Sequence, residues 1–190
     1  MTDHTPRQRR ARRDSLRSVM LILAIVTTGL LAGVFASWSN AIMPGLREVD
    51  DRTFVASFRA LDEAITNPLF LGGFTLALPL IALSAVLHRR PEHRAVLVWV
   101  GVALVCYLIA VVITFGVHEP LNGEFRTAAE PGAGVGSAAA RARLDEAKWT
   151  AWNTARAWAS TIAFGCLARA LVIRGRLDAS PARTGPPASA

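Results

Sequence analysis

The chain has 190 residues, of which 52% are hydrophobic, and its mean hydropathy is positive, at +0.35. It contains four long apolar segments, near residues 19–42, 68–87, 95–117 and 152–173, which a soluble protein of this length would not need. Each is close to the about 20 residues that cross a bilayer as a helix. The composition excludes an ordinary soluble domain and predicts an all-α fold, a four-transmembrane-helix bundle.

The net charge is +7, and nearly all of the basic residues are arginine. Basic residues dominate three segments, namely residues 1–17, the loop at 88–94 and the residues after 173, which lie on one side if all four helices span. The positive-inside rule then predicts a multi-pass protein of the cell membrane with both termini in the cytoplasm. Nucleic-acid binding is disfavoured, because no aromatic residue is interleaved with the first arginines.

The domain organisation predicted from this pattern is one membrane domain at residues 18–175. A disordered basic cytoplasmic arm precedes it at residues 1–17, and a disordered cytoplasmic tail follows it at residues 176–190. A cleaved signal peptide is the alternative for the first apolar segment, but this segment is longer than a usual signal core and is interpreted as a membrane helix. Cys106 and Cys166 fall inside predicted spans, which favours two buried thiols over a disulfide framework.

The loop after the first helix contains an amphipathic pattern over residues 51–66. Its apolar residues recur at helical spacing and are Phe54, Phe58, Leu61 and Ile65. Charged residues, among them Asp62, fall outside this face. The pattern predicts a helix that lies at the outer membrane interface or caps the bundle.

Helix boundaries can be predicted at several points along the chain. Asn67 is expected to cap the second helix with Pro68 in its first turn, and Pro79 is expected to bend that helix. From about Ser137 the pattern becomes helical and is expected to run without a break into helix four, which then extends outside the membrane. In the first helix, Gly29 allows the close approach of another helix, within the chain or from a second copy. The oligomeric state stays open.

Four residues mark the start of the last apolar segment: Trp149, Trp152, Asn153 and Arg156. Their spacings of three, four and seven residues place them on one face of a helix. A guanidinium and an amide at the edge of a bilayer are costly unless they have partners or a function. The pattern therefore predicts a polar cluster at this level of the membrane.

An up-down arrangement of the helices brings more polar residues to the same end. They are Asn40, Asn67, His118 and Asn122, with Tyr107 on the same face of the third helix as His118. A cleft between helices with a few converging polar groups is the usual form of a small-molecule site in a bundle. We therefore expect a binding pocket there.

Each of these residues also has a structural interpretation. The tryptophans fit an aromatic belt at the membrane interface, and Asn40 and Asn67 fit helix caps. Arg156 fits a salt bridge to Glu119 or Asp51 that fastens the outer face. A lone histidine at the end of a helix is usually a solvated cap.

Four short motifs stand in an order that is typical of one protein family: Met43-Pro44-Gly45-Leu46, Asn67-Pro68-Leu69, Pro120-Leu121-Asn122 and Trp149-x-x-Trp152-Asn153-x-x-Arg156. Over about residues 20–173 the chain resembles the anthrone oxygenase-like family of small four-helix membrane proteins. A few members are assigned to the oxidation of anthrones to anthraquinones without an evident metal or flavin. The resemblance implies an oxygenase without a cofactor that acts on a flat, hydrophobic aromatic molecule. The family often has asparagine where this chain has His118.

In the catalytic hypothesis, His118 or Glu119 removes a proton from the substrate. Arg156, with Asn153 and Asn122, stabilises the oxyanion that develops. The predicted catalytic residues are therefore His118, Arg156 and Asn153. The predicted substrate-binding residues are Trp149, Trp152, Asn122, Asn40, Asn67 and Tyr107.

A second hypothesis treats the chain as a non-catalytic membrane protein. The polar cluster would then tie the helix ends together, or would bind a lipid, a quinone or a partner. The expected partners under both hypotheses are membrane lipid and a hydrophobic aromatic small molecule. A transporter is disfavoured, because only one span carries an obvious break and no paired broken helices can be found.

Overall fold

The computed structural model describes residues 6–179, and these residues are almost entirely helical, without a strand. The eight α-helices of this part of the chain are α1 (Pro6–Ser37), α2 (Met43–Arg47), α3 (Asp51–Ile65), α4 (Pro68–Leu87), α5 (Arg94–Ile113), α6 (Glu119–Ala128), α7 (Ser137–Arg143) and α8 (Glu146–Ala179). Two π-helical turns, Trp38–Ile42 and Thr114–His118, join α1 to α2 and α5 to α6. The predicted all-α class is confirmed.

Four helical stretches are long and apolar enough to cross a membrane: Ala11–Arg47, Pro68–Leu87, Pro91–Ala128 and Ser137–Ala179. α8 packs against α1 and α5, α1 packs against α4, and α4 packs against α5. Many large apolar side chains on the outside of this arrangement are exposed, as expected for a surface that faces lipid. The sequence therefore predicted the membrane-spanning class correctly.

The hydrogen bonds between helices define two ends of the bundle. At the Trp149 end, α8 contacts α1 and α6, because Asn153 bonds to Phe35 and Trp149 bonds to Asn122. At the Arg17 end, the start of α1 contacts the end of α4 and the end of α8. In between, Gly29 of α1 lies so close to the ring of Phe164 that an added Cβ would stand 2.9 Å from it. The close helix approach predicted at Gly29 thus includes an approach within the chain.

The start of α4 has the predicted cap. The side-chain oxygen of Asn67 accepts hydrogen bonds from the backbone N–H groups of Leu69 and Phe70, both at 3.0 Å, and Pro68 occupies the first turn. Asp50 caps α3 in the same way by accepting from Arg52 and Thr53. These local bonds fix where the two helices begin.

The continuous helix predicted from Ser137 onward is wrong, because the chain breaks between α7 and α8. Asp145 has a φ of +50°, in the left-handed region that helices exclude and aspartate tolerates. Its carboxylate accepts from the backbone N–H of Lys148, and its carbonyl accepts from that of Trp149. Asp145 therefore starts a new helix, and this start positions Trp149 at the mouth of α8.

The disordered arm predicted for residues 1–17 is a helix in its described part, because α1 begins at Pro6. Contacts to other helices order this part: Arg17 donates from Nε to the carbonyl of Leu87 at 2.9 Å, and Arg174 donates to the carbonyl of Asp14. In the predicted tail, residues 176–179 belong to α8. Residues 1–5 and 180–190 lie outside the described part of the chain.

A buried histidine closes α4 at the Arg17 end. Nδ1 of His88 lies 2.7 Å from the carbonyl of Ser84, and its ring packs edge-on against the ring of His93. Burial lowers the pKa of His88, the bond to Ser84 opposes this shift, and the charges of Arg174, His93 and Arg17 add to it. His88 therefore binds a proton less readily in the folded protein than in the unfolded chain.

This predicts a stability that falls in mild acid. As the pH falls below the ordinary histidine pKa of about 6.5, His88 binds a proton more readily in the unfolded chain than in the folded protein. The free energy of unfolding therefore decreases in this range and is unaffected by His88 at higher pH. His88→Asn keeps a donor for Ser84 but cannot titrate. It should remove up to about 1.4 kcal/mol per pH unit of that slope, the limit for one proton. Thermal unfolding in detergent at about pH 7.5 and about pH 5.5 measures it; equal slopes for the two proteins would contradict the prediction.

Candidate active site

A cavity of about 760 Å³ lies at the Trp149 end, between α1, α3, α4, α8 and the turn from α5 to α6. Aromatic rings form most of its apolar wall: Phe35, Trp38, Phe58, Phe70, Phe74, Phe115 and Trp149. Both π-helical turns contribute to the wall, through Trp38 and through Thr114, Phe115 and His118. Such turns often mark functional sites, because they interrupt the regular helix and redirect side chains.

Arg156 lies in this wall and is only 8% exposed. Its Nε donates to Oδ1 of Asn153 at 2.9 Å, and its Nη1 donates to the hydroxyl of Thr114 at 3.2 Å. The guanidinium carbon stands 4.3 Å from the centre of the Phe35 ring. No carboxylate of the described residues forms a salt bridge with it; Glu119 pairs with Arg126 and Asp51 with Arg141. The cavity therefore faces a buried cation that only neutral groups hold.

Asn153 fixes the orientation of the Arg156 guanidinium. Its Nδ2 donates to the carbonyl of Phe35 at 2.9 Å and to the hydroxyl of Ser39 at 2.6 Å, so its oxygen must face Arg156. Asn153 is fully buried and is not part of the cavity wall. The structure thus brings Asn153 behind Arg156, in a positioning arrangement, and not into contact with the space a ligand would fill.

His118 is another polar residue in the wall, and it is 1% exposed. Its Nδ1 lies 3.4 Å from the carbonyl of Ile113, and its ring meets the ring of Trp149 edge-on at 4.9 Å between centroids. In the tautomer that donates to this carbonyl, Nε2 carries the lone pair. Nε2 is buried and has no hydrogen-bond partner among the described residues. In this tautomer no hydrogen bond to the described residues uses the lone pair of Nε2.

A chain of hydrogen bonds ties three helices together beside the cavity. Trp149 of α8 donates from Nε1 to Oδ1 of Asn122 at 2.8 Å. The amide of Asn122, on α6, donates to Oδ1 of Asp62 on α3 at 3.2 Å, and Arg126 donates to Oδ2 of Asp62 at 2.7 Å. Every donor in this chain has one acceptor, so the ring plane of Trp149 is fixed.

The comparisons with known proteins concern the same part of the chain. The family model described as anthrone oxygenase matches residues 63–166, which is more than half of the 190 residues. The chain belongs to the anthrone oxygenase family. The resemblance predicted from the four motifs is therefore confirmed. No curated protein and no solved structure matches the chain.

In this anthrone oxygenase family member the matched region holds most of the polar site. Arg156, His118, Asn122 and Trp149 line the cavity, and all four lie within residues 63–166. Phe35 of α1 and Trp38 of the π-helical turn that follows it also belong to the wall and lie outside the matched region. The cavity of this family member therefore combines matched residues with residues that the family model does not reach.

Four of the predicted binding residues are not part of the cavity wall of this family member. Trp152 is 43% exposed on the outside of α8. It follows Trp149 by three residues, and at about 100° per residue its side chain points about 60° away from that of Trp149, off the buried face. Asn40 is exposed, and Asn67 is used as a helix cap. Tyr107 is buried below the cavity and donates its hydroxyl to the carbonyl of Phe74.

Asp62 lines the cavity, and the sequence analysis did not predict it as a site residue. The amphipathic pattern placed Leu61 on the buried face of α3 and Asp62 outside it, whereas Leu61 is exposed and Asp62 is buried. The buried face follows Phe54, Phe58 and Asp62 at steps of four residues. The spacing of four residues that links Phe58 to Asp62 is visible in the sequence. Burial of a carboxylate costs free energy unless hydrogen-bond donors compensate for it, and the donors here, such as Asn122, come from α6.

Asp62→Ala is expected to lower the free energy of unfolding by about 1–3 kcal/mol, because it leaves the buried amide of Asn122 without its acceptor. The matched control is Glu63→Ala, which removes the neighbouring, exposed carboxylate and its 2.9 Å ion pair with Arg59. That change should stay within about 0.5 kcal/mol. Thermal or denaturant unfolding in detergent measures both. Equal effects of the two substitutions would show that the Asp62 chain does not hold α3 in place.

Proposed function

We propose that this protein is a membrane enzyme that uses O₂ to oxidise an anthrone, or a similar flat and hydrophobic phenol, to a quinone, without a metal or flavin. One observation carries the proposal. A cavity with aromatic walls brings together the buried guanidinium of Arg156 and the imidazole of His118. Within residues 6–179 the guanidinium has no carboxylate partner, and Nε2 of the imidazole has no hydrogen-bond partner. Those are an electrostatic stabiliser and a base, the two groups that the chemistry requires.

The shape and wall of the cavity suit a flat aromatic substrate. Its volume of about 760 Å³ is within the range of about 300–1,000 Å³ that is usual for small-molecule sites. Phe74 and Phe115 meet edge-on at 6.0 Å in the wall and offer ring faces and edges for stacking. Phe115 is 63% exposed on the apolar outside of the bundle, where lipid would lie. A hydrophobic substrate can reach the cavity from the membrane on that side.

The reaction balances with O₂ as the only oxidant. A base removes one proton from the methylene carbon of the anthrone, and the negative charge is delocalised onto the carbonyl oxygen. This anion passes one electron to O₂, and the resulting radical and superoxide combine to form a carbon–oxygen bond. The peroxide takes up a proton, the second methylene hydrogen leaves as a proton, and the O–O bond breaks. One quinone and one water result from one anthrone and one O₂.

The removal of the proton and the stabilisation of the anion are assigned to groups in the cavity wall. His118, with the free lone pair of Nε2, is the proposed base, and Glu119 beside it is the second candidate. Arg156 stabilises the carbonyl oxygen of the substrate as it becomes negative. Asn153 and Thr114 hold the guanidinium in place before the reaction. Asn122 stiffens the wall through Trp149.

The experiment is an assay of the purified protein in detergent with a simple anthrone. Oxygen uptake and quinone absorbance are followed together, and the expected stoichiometry is one O₂ per quinone. With ¹⁸O₂ the new carbonyl oxygen should carry the label. Anthrones also oxidise without enzyme, so the protein-free rate is the control. Uptake that does not exceed this rate, with a protein that is folded by circular dichroism, would reject the proposed activity.

The hydrogen-bond chain from Arg126 to Trp149 favours a second candidate, a non-catalytic protein that binds a quinone or a lipid. In that case the chain serves as a clamp between α3, α6 and α8, and the cavity holds a ligand without turnover. A quinone should then quench tryptophan fluorescence at saturable concentrations while no anthrone is consumed. The two candidates differ in this one result.

A further inference from the structure

A second concave feature lies at the Arg17 end, far from the cavity. It is a groove of about 350 Å³ between α1 and the end of α4. Among the described residues four arginines line it and no acidic residue does: Arg13, Arg17, Arg89 and Arg90. They come from two segments that are more than seventy residues apart in the chain, so the tertiary structure collects the positive charge. We call this feature the arginine groove.

Arg17 forms the floor of the arginine groove. It is buried and donates from Nε to the carbonyl of Leu87 at 2.9 Å, which ties α1 to the end of α4. Its Nη1 stands 2.9 Å from the carboxylate of Asp14 and 3.1 Å from a ring nitrogen of His93. All of these contacts hold Arg17 in one position, and its role is to fix the shape of the groove.

The other arginines keep their charge available. Neither Arg13 nor Arg89 forms a salt bridge with a carboxylate of the described residues. Arg89 makes one bond at 3.3 Å to the carbonyl of Val86, and Arg90 has a loose contact of 3.7 Å to Glu92, where both side chains are exposed. Like charges gathered in one groove repel one another, so an anion bound between them would be stabilised. Guanidinium groups are well suited to phosphate, because their paired donors match two oxygens.

The groove continues into an apolar surface. Leu16 and Val86 belong to its wall, and both side chains are exposed. Along the same helix faces, at steps of three or four residues, follow Val19 and Leu23 of α1 and Leu83 of α4, and these are exposed too. A charged groove at the head of a path of exposed apolar side chains matches a phosphate group attached to acyl chains. A soluble phosphate would use only the first half of this surface.

We propose that the arginine groove binds the headgroup of an anionic phospholipid, with the acyl chains lying along α1 and α4. Basic pockets between membrane helices bind anionic headgroups, and each arginine near an anionic lipid surface contributes severalfold to affinity. The site is independent of the oxidation chemistry at the Trp149 end. Its occupant is defined by two features, a negative phosphate and a hydrocarbon tail.

The test compares two double variants of the full chain in detergent. Arg13→Gln/Arg89→Gln removes two charges from the groove. Arg12→Gln/Arg94→Gln removes two charges from the same two regions, at exposed arginines that do not line it. Binding of phosphatidylglycerol, phosphatidylcholine and glycerol phosphate is measured by native mass spectrometry and by the shift in unfolding temperature. All four arginines are exposed, so both variants should fold, which circular dichroism verifies.

The expected result is selective binding of phosphatidylglycerol over phosphatidylcholine, with an affinity that falls by at least about tenfold in the groove variant and by less than about twofold in the control. Equal losses of affinity in the two variants would show that binding depends only on the total positive charge of this end of the protein, and would overturn the proposed site. Equal binding of phosphatidylcholine would overturn the headgroup preference. Competition by glycerol phosphate at the potency of the lipid would overturn the lipid and indicate a soluble phosphate ligand.

Discussion

Replacement of Arg156 with alanine is expected to slow quinone formation by about a hundredfold or more, the usual loss when one donor to a developing oxyanion is removed. The reason lies in the way the guanidinium is held. Asn153 and Thr114 fix it, no carboxylate of the described residues neutralises it, and Phe35 covers one of its faces. Its charge is therefore in place before an anion forms, and under the proposed function little reorganisation of the site would be needed.

The measurement is the initial rate of quinone formation under saturating anthrone, together with the unfolding temperature of each variant. Arg156→Lys keeps a charge but loses the donor to Asn153, and its rate should fall between those of the native protein and Arg156→Ala. Arg169→Ala is the matched control, because it removes an exposed arginine from the same helix. A folded Arg156→Ala or Arg156→Gln variant that retains most of the activity would show that the guanidinium is structural.

Replacement of His118 with alanine is expected to reduce the rate by about a hundredfold to ten-thousandfold, the range for the loss of a general base. His118 is the wall residue with a buried, unpartnered Nε2, and its ring is held against Trp149. The alanine variant leaves a space of the shape of the lost ring. Added imidazole should therefore restore part of the rate, a response that a purely structural defect would not give.

Glu119→Gln is the comparison that separates the two candidate bases. Glu119 lies next to His118 in the wall, but its side chain is about half exposed and contacts Arg126 at 3.5 Å. We expect its replacement to change the rate by less than about tenfold. A loss confined to Glu119→Gln, with an active His118→Ala variant, would transfer the role of the base to the carboxylate.

The sequence predicted the features of this protein that depend on local spacing. Hydropathy marked the four helical stretches, because a membrane span requires a minimum length of apolar side chains. The cap at Asn67 is a bond between near neighbours and could be read directly. The cluster of Trp149, Asn153 and Arg156 was visible because residues three, four and seven apart share a helix face. None of these predictions needs knowledge of a distant contact.

Only the tertiary structure decided which polar residues meet. Trp152 has almost the same spacing as Asn153, yet one is exposed and the other is buried, because the direction of α8 depends on how it packs against α1 and α5. Asp62 enters the site because Asn122 and Arg126 arrive from another helix to satisfy its oxygens. A single sequence carries the composition and period of each helix. It does not carry the rotation of one helix against the next, and that rotation decides whether a polar side chain lines a cavity or faces lipid.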